Sequence, residues 1–172
     1  MKKNGLEPLM CENPEVLILG SLPGDKSLEL QEYYGHPRNR FWKVIAAIGN
    51  YIEPVTYAEK KAMLSKANIV IWDVYEAAER DGSMDADIKH GEFNDIFGLL
   101  AKYPTIKTIA LNGKTAEKAF WAYNRTHQAE AAAVEQKITI CPMPSTSPAN
   151  ASWTMDKLLL AWRQIFCTGF YD

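Results

Sequence analysis

Four short apolar runs punctuate the chain, at residues 16–19, 68–72, 107–111 and 137–141. Each is too short for a helix and rich enough in β-branched residues for a buried strand. Between them the apolar positions change to helical spacing. Phe41, Trp42, Ile45 and Ile48 share one face of residues 39–50, a segment that Gly49-Asn50 can stop. Thr56 followed by Glu59 has the capping-box pattern and predicts a helix over Tyr57–Ala67. Further helices are expected over residues 92–102, halted by Pro104, and over residues 114–123. An amphipathic helix over roughly residues 152–166 closes the pattern. Residues 82–87 are polar throughout and predict a loop. Strands that alternate with helices imply a parallel sheet covered on both faces. The expected fold class is α/β, a three-layer α/β/α arrangement around a central four-stranded parallel sheet.

Composition adds limits. Residues 1–172 fit a single domain with a substantial core, at 47% hydrophobic and 23% charged residues. No segment is long and apolar enough to span a membrane, and MKKNGLEPLM has no apolar signal core. A cytoplasmic monomer without membrane attachment is expected. Cys11, Cys141 and Cys167 are odd in number and lack paired spacing, which argues against a disulfide framework or a zinc site. The three histidines are equally scattered. Neither a metal nor any other cofactor is expected. A net charge of −2 counts against a nucleic-acid partner, since such domains are usually basic, but one gripped nucleotide needs only a local basic patch.

In parallel α/β sheets, ligands bind beyond the carboxyl ends of the strands. All four strand exits here carry chemistry: Gly20-Ser21-Leu22-Pro23-Gly24, Asp73, Asn112-Gly113, and the run Ser145, Thr146, Ser147, Pro148, Ala149, Asn150. Tyr33-Tyr34 and His36-Pro37-Arg38-Asn39-Arg40-Phe41-Trp42 follow the first exit, flat rings beside an amide and two guanidinium groups. Such a cluster suits a pocket that stacks a planar group and holds an anion. Each piece also has a plainer use. The glycine turn can be only a turn, Tyr34 core, Asp73 a helix cap, and Asn150 or Ser152 the cap of the last helix. The amides near Lys114 can bind an anion incidentally. Arg80, Lys89 and Lys102 read as solvated surface.

The order of these pieces resembles the uracil-DNA glycosylase superfamily. It is most similar to the mismatch-specific uracil/thymine glycosylases and the hypoxanthine-DNA glycosylases. The mismatch-specific enzymes have a Gly-x-Asn-Pro-Gly turn, eleven residues, then His-Pro-x-Asn-Arg-Phe-Trp. The same interval separates the 20–24 turn from His36 here. Leu22 stands where the superfamily usually has a water-activating Asn or Asp. In that departure, and in its Gly-Ser-x-Pro turn, paired tyrosines and Ser-Thr-Ser-Pro-Ala-Asn loop, the chain is similar to the hypoxanthine-DNA glycosylase branch. The resemblance implies a monofunctional DNA glycosylase that hydrolyses the bond to a flipped, deaminated base, hypoxanthine first and uracil second. It implies Asn39 as the catalytic residue, and Gly20, Ser21, Leu22, Tyr34 and Asp73 as the base pocket. Tyr34 would stack on the base and Asp73 would accept a ring N–H. Lys114 and the 145–150 loop would bind DNA containing the deaminated base, with Arg38 or Arg40 as further phosphate contacts.

On this reading Asn39 positions water through its amide oxygen, and amides of the 20–24 turn stabilise the leaving base. Two other functions fit the same residues. One is a non-catalytic module that binds damaged nucleic acid or a nucleotide. The other is an α/β enzyme acting on a free nucleoside.

Overall fold

The computed structural model describes residues 1–167, of Cys167 only the backbone; the expectations about the Cys167 thiol and residues 168–172 lie outside the described residues. The elements run β1 (Lys2–Asn4), β2 (Val16–Gly20), α1 (Asp25–Leu30), α2 (Phe41–Ile48), α3 (Tyr57–Ala67), β3 (Ile69–Asp73) and β4 (Tyr75–Glu79). Then come β5 (Lys89–Phe93), α4 (Ile96–Lys102), β6 (Thr108–Asn112), α5 (Lys114–Thr126), α6 (Gln128–Lys137), β7 (Thr139–Met143), α7 (Met155–Trp162) and α8 (Gln164–Cys167). No helix among the described residues is long and apolar enough to cross a membrane.

Four parallel strands in the order β3-β2-β6-β7 form the central sheet, as the alternating pattern implies. The alternation of side chains along each strand explains why both faces must be covered. On one face Val16, Ile18, Ile69, Ile71 and Ala110 meet Phe41, Trp42 and Ile45 of α2, Met63 and Leu64 of α3, and Leu158 and Trp162 of α7. On the other, Leu17, Leu19, Val70, Ile109 and Leu111 meet Ile96, Phe97 and Leu100 of α4 and Phe120 and Tyr123 of α5. Sandwiched between two helical layers, β2 is buried along its whole length. Its register with β3 sets Gly20 opposite Asp73 at the same end of the sheet.

Local chemistry sets most helix starts. The Thr56 hydroxyl accepts the Glu59 amide at 3.1 Å, and the Glu59 carboxylate accepts the Val55 amide at 2.8 Å, so the capping box forms one residue wider than its simplest version. The final helix differs from the expected 152–166 span. Thr154, not Asn150 or Ser152, caps α7, and a break at Arg163 separates α8.

A second sheet, antiparallel and ordered β1-β4-β5, has no counterpart in the sequence pattern. It takes Glu92 and Phe93 from the expected 92–102 helix, which begins at Ile96 under an Asp95 cap. The 82–87 stretch becomes the tip of the β4–β5 hairpin, with a 3-10 turn at Asp85–Asp87. Arg80 is not solvated surface: at 2% exposure it is buried beneath that tip. Its Nε donates to the Gly82 carbonyl at 2.9 Å and one Nη to the Pro23 carbonyl at 2.5 Å. The hairpin is thereby tied to the 20–24 turn. Helices α1 and α6 were likewise outside the expected set.

Candidate active site

The carboxyl ends of β2, β3 and β6 bring the sequence-distant candidates together. A Cβ on Gly20 would lie 2.5 Å from Asp73 Oδ1 and 3.3 Å from the Tyr34 hydroxyl, so only glycine lets the two groups approach this strand end. Tyr34 has a left-handed backbone, φ 52°, and its ring stacks on Phe41 at 4.0 Å between centroids. Its hydroxyl is buried with no hydrogen-bond partner. Burial, and then the nearby Asp73 charge, drives that hydroxyl's pKa upward; the Asn112 side-chain N–H, which approaches the phenolic oxygen without the geometry of a full hydrogen bond, opposes the rise.

Asp73 is 4% exposed, and its Oδ2 has no partner either. Its carboxyl is pushed up to about 7, by burial first and the Asp85 carboxylate second, while Arg80 pulls the other way. An unpaired buried carboxyl beside an unpaired buried hydroxyl is an expensive arrangement, of the kind found at functional sites. Ser21 is held from the hairpin tip: its hydroxyl donates to Asp85 Oδ1 at 2.7 Å. Leu22 is buried.

Asn39 stands at the entry to α2. Its Oδ1 accepts the Phe41 amide at 3.0 Å and the Thr146 hydroxyl at 2.9 Å. Thr146 in turn pairs twice with Asn112. Its amide donates to Asn112 Oδ1 at 3.0 Å, and Asn112 Nδ2 donates to its hydroxyl oxygen at 3.1 Å. Thr146, expected among the DNA-contacting residues, is 0% exposed and turns its polar atoms inward onto Asn39 and Asn112. It braces Asn39 instead. The spacing of these residues in sequence held no sign of the pairing. Asn112 was legible only as a polar strand exit.

Arg40 also has a different duty from the one expected. Its guanidinium donates to the carbonyls of Trp153, Ser147 (3.3 Å) and Asn150 (3.1 Å), so three of its five N–H groups clamp the 145–150 loop. Inside that loop the Ser145 hydroxyl accepts the Ser147 amide, the Ser147 hydroxyl accepts the Ala149 amide, and Asn150 Nδ2 donates to the Ser145 carbonyl. Both serine O–H protons are left to donate outward. Ala149 and Arg38 are exposed, Pro148 is half-buried, and the His36 ring accepts the Arg38 amide at 3.1 Å. Lys114 is exposed at the start of α5, next to Gly113, where a Cβ would come within 2.9 Å of Ser145. Asn39, Tyr34, Asp73 and the loop thus gather around one end of the sheet.

The sequence profile of the uracil DNA glycosylase superfamily matches residues 7–166. The chain belongs to this superfamily. Two relatives named hypoxanthine DNA glycosylase are each 42% identical. The protein from Methanosarcina barkeri aligns over 115 residues, 66% of this chain and 73% of the relative. The one from Methanosarcina acetivorans aligns over 117, 67% and 74% respectively. A solution structure of a Methanosarcina acetivorans protein with a uracil DNA glycosylase designation superposes with a TM-score of 0.77 at 31% identity, covering 96% of this chain and 99% of that one. Uracil DNA glycosylases and their kin are hydrolases of the N-glycosidic bond, and this chain is a DNA glycosylase for deaminated bases.

Proposed function

We propose that the preferred base is hypoxanthine, with uracil second, and that the enzyme acts as a cytoplasmic monomer on DNA, leaving an abasic site without cutting the strand. The pairing of two orphaned groups supports this reading, and it gives Tyr34 an edge-reading role in place of the stacking expected of its ring, which lies on Phe41: the Asp73 carboxylate accepts and the Tyr34 hydroxyl donates. Deaminated bases present a ring N–H beside a carbonyl, which is the complement of that pair. Their amino parents present a ring nitrogen lone pair beside an N–H, the reverse polarity. Adenine is therefore refused where hypoxanthine is held, since mismatched buried polar groups are left unpaired.

Leu22 favours hypoxanthine over uracil, because the turn lacks the side chain with which uracil-processing members orient water. The names of the two relatives point the same way. Asn39 acts at the glycosidic bond, and Ser145, Ser147, Pro148, Ala149 and Asn150 enter the duplex with Lys114 at a flanking phosphate.

Base release from duplexes containing deoxyinosine, uracil, xanthine or adenine tests the proposal. Release should be fastest with deoxyinosine and undetectable with adenine. Equal turnover of adenine, or no release from any duplex, refutes it.

A further inference from the structure

Resting on the reading of Asn39 as catalytic, we infer that it serves the reaction as a hydrogen-bond donor through Nδ2, held in that sense by Thr146 and Asn112 as positioning residues. The direction of every proton in the chain of bonds is forced. The Phe41 amide can only donate, so the atom facing it, 3.0 Å away, must be the Asn39 oxygen. The Thr146 amide can only donate, so the Asn112 oxygen faces it and the Asn112 NH2 must be what reaches the Thr146 hydroxyl oxygen. That leaves the Thr146 hydroxyl proton for Asn39 Oδ1. Both lone pairs of the Asn39 oxygen are then occupied. Its Nδ2 bonds nothing among the described residues, and the residue is half-buried, open on one side. An amide oxygen in this state cannot orient water, which the sequence alone had suggested. The NH2 is the available group.

The chemistry uses a donor well. The C1′–N bond breaks heterolytically, and its electron pair leaves with the base. Nδ2–H donates to an acceptor on the departing ring and steadies the charge that develops there. Water forms the new bond to C1′, and its proton ends on the departed base, giving neutral free base and an abasic site. Leu22 fits such a mechanism, since a reaction driven by leaving-group stabilisation needs less help at the water.

The test is Asn39→Asp, Thr146→Val and Thr146→Ser in single-turnover release of hypoxanthine from a deoxyinosine duplex, across about pH 5 to 8.5. Asn39→Asp keeps both acceptor bonds, so α2 still starts normally. With the carboxylate ionised it should lose about 100-fold or more in rate, the usual effect of removing one such donor. Relative to wild type at the same pH, which cancels the titration of Asp73, the rate should recover as pH falls and the acid regains a proton to donate. Thr146→Val, which lets the amide turn over, should lose about 10-fold or more, and Thr146→Ser should restore most of it. If Asn39→Asp matches wild type near pH 8, the oxygen is the working atom and the inference fails. If Thr146→Val keeps the wild-type rate while only its melting temperature falls, the positioning role fails. A wild-type protein that releases no base at all would instead refute the function on which both depend.

Discussion

Asp73→Asn separates what the buried carboxyl does for the fold from what it does for the site. A carboxyl moved from 3.8 to about 7 binds its proton more tightly in the folded chain than in the unfolded one. Its contribution to stability is therefore full below about pH 4 and is lost as pH rises through about 7. The whole swing is roughly 4 kcal/mol, at about 1.4 kcal/mol for each tenfold change in proton affinity. Asparagine removes the charge but keeps a buried polar amide that finds no ready partner, an offset of about 1–3 kcal/mol. Near pH 8 the variant should thus be more stable than wild type by about 2 kcal/mol, or about 4–8 °C in Tm for a chain of this size. Near pH 4 the advantage should vanish or reverse. Urea unfolding of both proteins across this range measures the difference directly, and common titrations cancel in the subtraction. A difference that stays flat from about pH 4 to 8 would refute the argument, for it would mean that the carboxyl is not desolvated. In the base-release assay, wild type should gain rate through about pH 7 as the acceptor ionises, and Asp73→Asn should show a flatter profile.

Other expectations concern the frame around the site. Gly20→Ala puts a methyl 2.5 Å from a carboxylate oxygen that is held on β3, and should cost about 1–3 kcal/mol in urea unfolding, with slower base release. Arg40→Lys retains the charge but not the fork that reaches three carbonyls; melting should show a loss of about 1.5–3 kcal/mol, and proteolysis should cut first near the 145–150 loop. Lys114→Ala leaves the fold unchanged, weakens duplex binding, and lowers the slope of log affinity against log salt by about 1.

The four parallel strands, the helices on both faces and the strand-exit location of the site follow from local pattern, because burial on two faces leaves its mark on every residue of a short strand. The antiparallel β1-β4-β5 sheet was not legible, since its strands carry little apolar signal: β5 is Lys-His-Gly-Glu-Phe and mostly exposed. Arg80 shows the same limit. An arginine reads as surface until a hairpin and a turn, far apart in sequence, close over it with carbonyls that meet its Nε and one Nη.

By itself the sequence determined the architecture, the superfamily and the set of residues at the mouth of the sheet, because these depend on periodicity and on residue type at fixed spacing. Only the tertiary structure decided what each of those groups has left to offer. Thr146 spends its hydroxyl on Asn39, Arg40 spends its guanidinium on a loop, and Asp73 keeps an oxygen unpaired. A side chain's free donors and acceptors are what remain after its neighbours in space are satisfied, and those neighbours lie as many as 113 positions away in the chain.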